Sequence, residues 1–148
     1  MIDSTSISEI LEDKGTQVWN VTPETIVFDA IKTMADKNIG ALAVLDGERV
    51  VGILSERDYT RKVVLQGKSS KTTQVREIIS GQVVSVTLQH TVDDCLRLMT
   101  KHRIRHLPVL ENNKLIGIVS IGDLVNSVIS AQRTTIEQLQ TYITGVPG

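Results

Sequence analysis

Hydrophobic and polar positions in the first half of the chain follow two periods, which predict one helix and a pair of strands. Apolar residues recur at helical spacing along one face, at Val27, Ala30, Ile31, Met34 and Ala35. Two β-prone runs follow, ALAVLD and RVVGILS, and Asp46-Gly47 between them is typical of a hairpin turn. With the run VWNV before the helix and a second helix expected after Asp58, the order is β-α-β-β-α.

The same unit occurs a second time. The segment GILSERD at 52–58 matches GIVSIGD at 117–123, a spacing of 65 residues that holds without a gap from 18 to 63. About a third of the aligned positions are identical. The second copy supplies VVSV, the strands HLPVLE and KLIGIVS, an Asn112-Asn113 turn, and a helical face of Val92, Cys95, Leu96 and Met99. Self-similarity at a fixed period indicates a duplicated supersecondary unit.

Segments outside the repeats suggest the domain boundaries. A short apolar helix, ISEIL or VREII, precedes each unit at a spacing of 68, so the first copy has three extra residues around Lys14. Thr22-Pro23 predicts a capped start for the first long helix, and the polar stretch QGKSSKTTQ is typical of a linker. We expect domains over 7–66 and 75–132, followed by a helical tail over 133–148. Three apolar tail residues share one face and predict a homodimer contact: Ile136, Leu139 and Ile143.

Composition narrows the class of protein. The 148 residues are 41% hydrophobic, enough for a packed interior, and 16 Lys+Arg against 17 Asp+Glu give a net charge of −1. This balance argues against a nucleic-acid binder, whose footprint is usually basic. The first residues, MIDSTSISEILEDKG, contain no signal-peptide pattern, the longest apolar run is IGALAVL, and the single cysteine fits a reducing compartment. We expect a soluble, cytoplasmic protein without membrane or nucleic-acid partners.

The repeated unit resembles a known family. A unit with three short strands buries too little surface alone, so we expect an α/β fold in which two repeats pack sheet to sheet about a pseudo-twofold axis. Each copy closes with an apolar strand, a glycine and the pattern [ST]-x-x-D, and this tandem arrangement closely resembles the CBS-domain pair, or Bateman module, from about Ile7 to Gln132. RIRHLPVLE fits the family's second-strand pattern, whereas NIGALAVLD has Ala43 in place of the usual proline.

The resemblance implies a regulatory role and no catalysis. Members of the family bind adenosine-containing molecules such as AMP, ADP, ATP, NAD(H) or S-adenosylmethionine and transmit their occupancy as a conformational signal. We therefore expect an energy-sensing module without a catalytic cofactor that acts on an unidentified regulated protein. The alternatives are a structural or dimerisation module with empty clefts and, favoured only by a local basic patch, a nucleic-acid binder.

Two aspartates are the central candidates of the site. The resemblance assigns Asp58 and Asp123 to the ribose hydroxyls, and an ionised carboxylate with two acceptor oxygens suits a vicinal diol. The alternative is an N-cap, since aspartate is among the best capping residues. The neighbouring Ser55 and Ser120 are weaker candidates, because a serine at a strand end often bonds only the backbone.

The family arrangement predicts two clefts, each with residues from both repeats. Cleft A consists of Ser55, Arg57 and Asp58 facing Val83, Val84, Ile104 and Arg105. Cleft B consists of Ser120 and Asp123 facing Thr16, Val18, Trp19, Ile39 and Gly40. The apolar members are equally consistent with plain core packing. Gly40 interrupts an apolar strand, which often marks a close approach of the backbone.

Basic residues make the two clefts unequal. In KHRIRH, favourable placement at a helix C-terminus accounts for Lys101 and Arg103. Arg105 and His106 come later and, with Arg57 and Arg61, predict a phosphate-binding group in cleft A. Cleft B has glycines at the positions that match two of these arginines, so only Lys14 brings a positive charge there. A protonated His106 would favour phosphate binding below about pH 6.5.

Metal and nucleophilic chemistry find little support. The sequence has three histidines, but His102 and His106 flank a helix end, and no cysteine or carboxylate completes a zinc set. Cys95 aligns with Ala30 on a buried helix face, which predicts a core residue. No nucleophile lies beside a base, so we expect neither a metal nor catalysis.

Overall fold

The structure is a computed structural model that describes residues 4–15, 17–79 and 82–144. The first repeat and the segments around it contain, in chain order, α1 (Ile7–Lys14), β1 (Asn20–Val21), α2 (Val27–Lys37), β2 (Ala41–Asp46), β3 (Arg49–Ser55), α3 (Glu56–Tyr59), a π-helical turn (Thr60–Val64) and a 3-10 turn (Val75–Glu77). The second repeat contains α4 (Val92–His102), β4 (His106–Glu111), β5 (Lys114–Ser120) and α5 (Ile121–Thr144).

Two small sheets form the centre of the fold, and β3 and β5 contact each other. In the first sheet, β1 pairs in parallel with β2, and β2 pairs antiparallel with β3. The second sheet pairs β4 with β5, while a parallel bridge from Val86 to Val109 takes the place of a strand at VVSV. Each hairpin has a register shift at the same point, after Val44 and after Val109. The mixed α/β repeat fold and all four predicted hairpin strands are confirmed.

The turns of the two hairpins differ. In the second, Asn112 and Asn113 both have positive φ, as a type I′ turn requires. In the first, Asp46 still pairs with Arg49, so the loop is Gly47-Glu48, one residue later than predicted. Gly47, with φ of 63°, provides the left-handed conformation.

The start of α2 differs from the prediction that Thr22-Pro23 caps it. The helix begins at Val27, and Ile26 at the N-cap position has no side-chain acceptor. The linker replaces the cap, because the amides of Val27 and Phe28 donate to the carbonyls of Thr73 and Ser70, both at 2.9 Å. In the second repeat, Thr91 caps α4 through a reciprocal pair with Asp94.

The leading helices are exchanged between the repeats. α1 precedes the first repeat, yet Ile7, Ile10 and Leu11 are buried in one core with second-repeat residues such as Leu107. Val75 and Ile78 precede the second repeat and are buried with first-repeat residues. Each core is therefore completed by a segment from the other side of the molecule. This exchange places the end of α1, with Lys14, beside the second repeat.

Glycines 52 and 117 of the repeated motif lie where these exchanged segments cross the strands. Replacing Gly52 by alanine is expected to cost about 1–3 kcal/mol of stability, as overpacking does. A Cβ there would lie 3.0 Å from Cδ1 and 3.2 Å from Cβ of Ile79, and the latter atom is fixed to the backbone.

Gly117→Ala is the matched control, measured with Gly52→Ala by denaturant unfolding. Its Cβ would meet Cδ2 and Cδ1 of Leu11 at 2.9 and 3.0 Å, but these are the ends of a side chain that can rotate. We expect the smaller loss for Gly117→Ala. A loss at Gly117 equal to or larger than that at Gly52 would contradict this account.

The predicted tail helix is the continuation of α5, which extends from Ile121 to Thr144. Its far end presents Ile136, Leu139 and Ile143, which are 54%, 56% and 79% exposed. None of the helices in the described residues has the length and apolar character needed to cross a membrane.

Candidate functional site

Asp58 lies in the first turn of a helix, not ahead of one as predicted. β3 ends at Ser55 and α3 starts at Glu56, so Asp58 is the third helical residue. Its Oδ2 accepts from the Ser55 amide at 2.9 Å and from the Ser55 hydroxyl at 3.0 Å, while its own amide donates to Ser55 Oγ at 3.2 Å. Ser55 is therefore the N-cap residue and Asp58 its partner in a reciprocal capping box, so the alternative that Asp58 itself is the N-cap is wrong. The capping box engages Oδ2, and Oδ1 lies 3.5 Å from Lys62 Nζ.

A cavity of about 620 Å³ opens at Asp58 and joins both repeats. We call it cavity A. Every residue predicted for cleft A or its phosphate group lines it, namely Ser55, Arg57, Asp58, Arg61, Val83, Val84, Ile104, Arg105 and His106. The lining also contains Gly40, Ile53, Glu56, Lys62, Gln82, His102 and Arg103. The set that the family resemblance implies for cleft A, taken from distant segments, therefore lies around one space.

The walls of cavity A combine aliphatic side chains with an excess of positive charge. Val83, Val84 and Ile104 are partly buried, so they offer apolar surface without being sealed in the core. Five arginine or lysine side chains line the cavity against two carboxylates, those of Glu56 and Asp58. Such a surface has room for a flat apolar ring and favours a negatively charged group beside it.

Arg103 has a second role beyond the helix-end placement that the sequence predicts. It ends α4 in the left-handed conformation, with φ of 55°, and its side chain also lines cavity A. Lys62 was not predicted. Its Nζ donates to the carbonyl of Ile78 at 2.9 Å, on the segment that leads into the second repeat. The spacing of Lys62 from Asp58, four residues along a helix, was the signal in the sequence that could have identified it.

Asp123 repeats the position of Asp58. β5 ends at Ser120 and α5 starts at Ile121, and Asp123 Oδ2 accepts from the Ser120 amide at 2.8 Å. The predicted Lys14 lies beside it, with Nζ 2.7 Å from the same oxygen. Burial raises the pKa of Asp123, but hydrogen bonds from Lys14 and Ser120 outweigh it and hold the pKa below 3.8.

Of the other residues predicted for cleft B, Ser120 is bonded to Asp123, whose amide donates to Ser120 Oγ at 3.2 Å. The cavity of about 480 Å³ beside Asp123 is lined by Thr5, α1 and α5, and the described Val18, Trp19 and Ile39 do not line it. Trp19 and Ile39 pack against the hydrophobic core of the first repeat, and Lys37 Nζ lies 4.2 Å from the centre of the Trp19 ring. Gly40 lines cavity A instead, and Thr16 is outside the described residues. Nucleotide binding by this set stays a prediction.

His106 lies between the two aspartate sites. It pairs with Ser120 across the β4–β5 hairpin, and its Nε2 is 3.6 Å from the position of a Cβ on Gly40. Burial lowers the pKa of His106 below 6.5, as do the positive charges of Lys14 and Arg105, while Asp123 and Asp58 oppose the shift. Because His106 gains its proton only at a pH lower than 6.5, any resulting gain in phosphate binding is expected below that pH.

The same lowered pKa predicts how stability depends on pH. Between the folded-state pKa of His106 and the ordinary value of 6.5, the unfolded chain binds a proton that the folded chain does not. Stability is therefore expected to fall as the pH drops through this window, and His106→Gln should flatten the decline. Chemical denaturation of both proteins from pH 7.5 to 5 measures it. Identical slopes would contradict a half-buried, neutral His106.

Cys95 and the histidines do not form a further centre in the described part of the chain. Burial, with the nearby Asp94, raises the pKa of the Cys95 thiol to about 11, and the side chain is fully buried as predicted. No group of three or more His, Cys, Asp or Glu side chains among the described residues could hold a metal ion.

Comparisons with known proteins agree with this architecture. The sequence profile of the CBS domain matches residues 4–65 and 75–130. CBSX3, a mitochondrial CBS domain-containing protein of Arabidopsis thaliana, is 40% identical over 153 residues, which span 97% of this chain and 74% of that protein. A solved CBS-domain protein from Burkholderia ambifaria MC40-6 is 53% identical, with a TM-score of 0.82, and the match covers 86% of this chain and 96% of that one.

A more distant likeness bears on the fold alone. A CBS-domain pair solved with 5′-methylthioadenosine and S-adenosyl-L-methionine is 24% identical, with a TM-score of 0.70 and coverage of 82% and 98%. Two pseudo-symmetric α/β repeats with exchanged leading segments and a shared cavity define a tandem-repeat module. The profile match and the identities above establish that the chain belongs to the family of CBS-domain proteins.

Proposed function

We propose that the protein is a non-catalytic sensor that binds an adenosine nucleotide, AMP, ADP, ATP or NAD(H), in cavity A. The observation that supports this most is the composition of the cavity. The Asp58 carboxylate from one repeat, the aliphatic wall from the other, and the surplus of arginines match in order a ribose, an adenine and a phosphate chain.

Each part of the ligand finds a chemically suitable partner. The ribose hydroxyls donate to Asp58, and the adenine lies against the aliphatic side chains of Val83, Val84 and Ile104. The phosphates bind Arg57, Arg61 and Arg105, where each charge-assisted hydrogen bond contributes roughly 1.5–3 kcal/mol. S-adenosylmethionine carries a sulfonium cation, so this cavity disfavours it relative to a polyphosphate.

The signal follows from the shared construction of the cavity. Because residues of both repeats line it, a ligand that binds all of them favours one relative arrangement of the repeats over others. A regulated partner would respond to that arrangement, which makes the protein a sensor of the nucleotide pool. A cytoplasmic location stays a prediction.

A homodimer is the second proposal, and the exposed apolar end of α5 supports it. A contiguous apolar patch on a helix face commonly marks an interface. If the clefts are empty in the cell, dimerisation or the holding of a partner is the alternative function. Sedimentation should give a dimer, and Leu139→Lys should shift it to the 16.3 kDa monomer. A wild-type monomer at high protein concentration would contradict the dimer.

Calorimetry and thermal shift with AMP, ATP, NADH, S-adenosylmethionine and a DNA oligonucleotide test the main proposal. We expect micromolar affinity for at least one phosphorylated nucleotide, about 8 kcal/mol of binding free energy. No heat and no melting shift at millimolar nucleotide would refute it. A response to the oligonucleotide alone would favour nucleic-acid binding instead.

A further inference from the structure

The second aspartate site contains a cation supplied by the chain itself. Lys14 Nζ donates to Asp123 Oδ2 at 2.7 Å and to the carbonyl of Ile118 at 2.7 Å. The ammonium is thus fixed by two oxygens, one of them on the strand that ends at the motif serine. A charge-assisted pair at this distance is roughly twice as strong as a neutral hydrogen bond.

Among the described residues, no cation lies as close to Asp58 as Lys14 does to Asp123. Lys62 Nζ is 3.5 Å from Asp58 Oδ1, beyond good hydrogen-bond distance, and donates instead to the Ile78 carbonyl at 2.9 Å. Asp58 also opens onto cavity A, in which positive side chains outnumber carboxylates. A ribose can therefore approach Asp58 without displacing a bound ammonium.

The cavity of about 480 Å³ that α1 and α5 line beside Asp123 is also unfavourable for phosphate. Among the described residues, its charged lining consists of Glu9, Asp13 and Asp123 against Lys14. If a ligand drew Lys14 away to bind its phosphates, Asp123 would lose the partner that holds its pKa down, and the remaining carboxylates would repel the phosphates. Both the carboxylate and its surroundings therefore oppose a nucleotide here.

Lys14 reaches this position through two features of the fold. It belongs to the three extra residues of the first copy, and the exchange of leading helices brings the end of α1 onto the second repeat. The corresponding stretch before Val83, Ser-Gly-Gln, contains no lysine. The asymmetry is therefore a property of this sequence and not of the repeat fold.

We propose that Lys14 is a built-in stopper of the second cleft. Its ammonium occupies the carboxylate that would otherwise accept the ribose hydroxyls, so each chain binds one nucleotide, at Asp58. The inference rests on the proposed function, because it concerns how many of the two related sites take the same ligand. It also assigns Lys14 the opposite role from a phosphate-binding residue.

Calorimetric stoichiometry with ATP and with adenosine as probes tests the stopper. The wild-type chain is expected to bind one ATP and one adenosine at the same site, and Lys14→Met should add a second site for adenosine. Lys14→Arg, which keeps the cation, should stay at one site, as should Lys114→Met, a lysine substitution on the exposed hairpin of the second repeat. Circular dichroism confirms that each variant is folded.

The double variant Lys14→Met with Asp58→Ala identifies the new site. It should retain one adenosine, bound at Asp123, whereas Asp58→Ala alone should bind none at the same concentrations. Two adenosines on the wild-type chain, or one on the folded Lys14→Met chain, would overturn the stopper while leaving the proposed function standing. Absence of binding by every variant would overturn the proposed function and the stopper with it.

Discussion

Replacing Asp58 by alanine is expected to weaken ATP binding by about a hundredfold or more. The carboxylate would accept two ribose hydroxyls, and hydrogen bonds to a charged group contribute roughly 1.5–3 kcal/mol each. Their sum, about 3–6 kcal/mol, exceeds the 1.4 kcal/mol that corresponds to each tenfold change in affinity. Titration calorimetry on the wild-type and variant proteins measures the difference.

The capping role of Asp58 requires a control. Alanine also removes the acceptor of the Ser55 amide, and a lost cap costs about 1 kcal/mol of stability. Asp58→Asn retains an acceptor oxygen and lacks the charge, so it should remain folded and still lose most of the affinity. If Asn binds ATP as well as aspartate does, the charge is not what holds the ribose.

The matched variant of the second repeat, Asp123→Ala, distinguishes the contributions of the two aspartate sites to ATP binding. Because Lys14 already holds Asp123, Asp123→Ala should change ATP affinity by less than about threefold, well under the 1.4 kcal/mol of a tenfold effect. Only the site at Asp58 should depend strongly on salt, since added ions screen exposed phosphate–arginine attraction. Equal losses with the same salt dependence in both variants would show that the clefts are equivalent.

Truncating Ile7 to alanine is expected to cost about 2–5 kcal/mol of stability, the usual effect for a fully buried isoleucine. Ile7 is 0% exposed, although it lies near the start of the chain. Its methyl groups fill the core of the second repeat, so the damage should appear there and not in the repeat that follows it in sequence. Denaturant unfolding gives the magnitude, and amide exchange shows which repeat opens.

Ile136→Ala is the control for this prediction, because Ile136 is 54% exposed and its truncation leaves no cavity. Measured on the dilute protein, its loss should stay within about 0.5 kcal/mol. If Ile7→Ala instead exposes mainly the amides of β2 and β3, the exchange of leading helices is wrong. A change as small as that of Ile136→Ala would also contradict it.

The sequence predicted most of the regular structure because both repeats obey the same pattern. Strands β2 to β5 could be bounded from alternation and turn residues, and their register follows once the hairpin loops are known. The start of α2 could not be predicted from the sequence, since its first amides donate to carbonyls of a linker more than forty residues later. The reduction of VVSV to a single bridge depends likewise on packing that no local pattern encodes.

The candidate site was predictable where it depends on the repeat and unpredictable where it departs from it. The residues around Asp58 are those that the family resemblance implies, carried over position by position. Lys14 was expected near Asp123, but its contact with the carboxylate depends on α1 crossing to the other repeat. Gly40 lines cavity A, where its carbonyl accepts from the amide of Glu56 at 3.1 Å, and local sequence patterns do not show this contact.

The exchange of leading helices has a consequence for chain connectivity. A cut beside the exposed Gly67 would give two fragments, and each would contain a repeat together with the segment that completes the core of the other. Neither fragment would be a finished domain, yet the two would be complementary, as in a split protein that reassembles. The peptide link between the repeats thus sets their effective concentration, while the exchanged leading segments hold the two repeats together by completing each other's core.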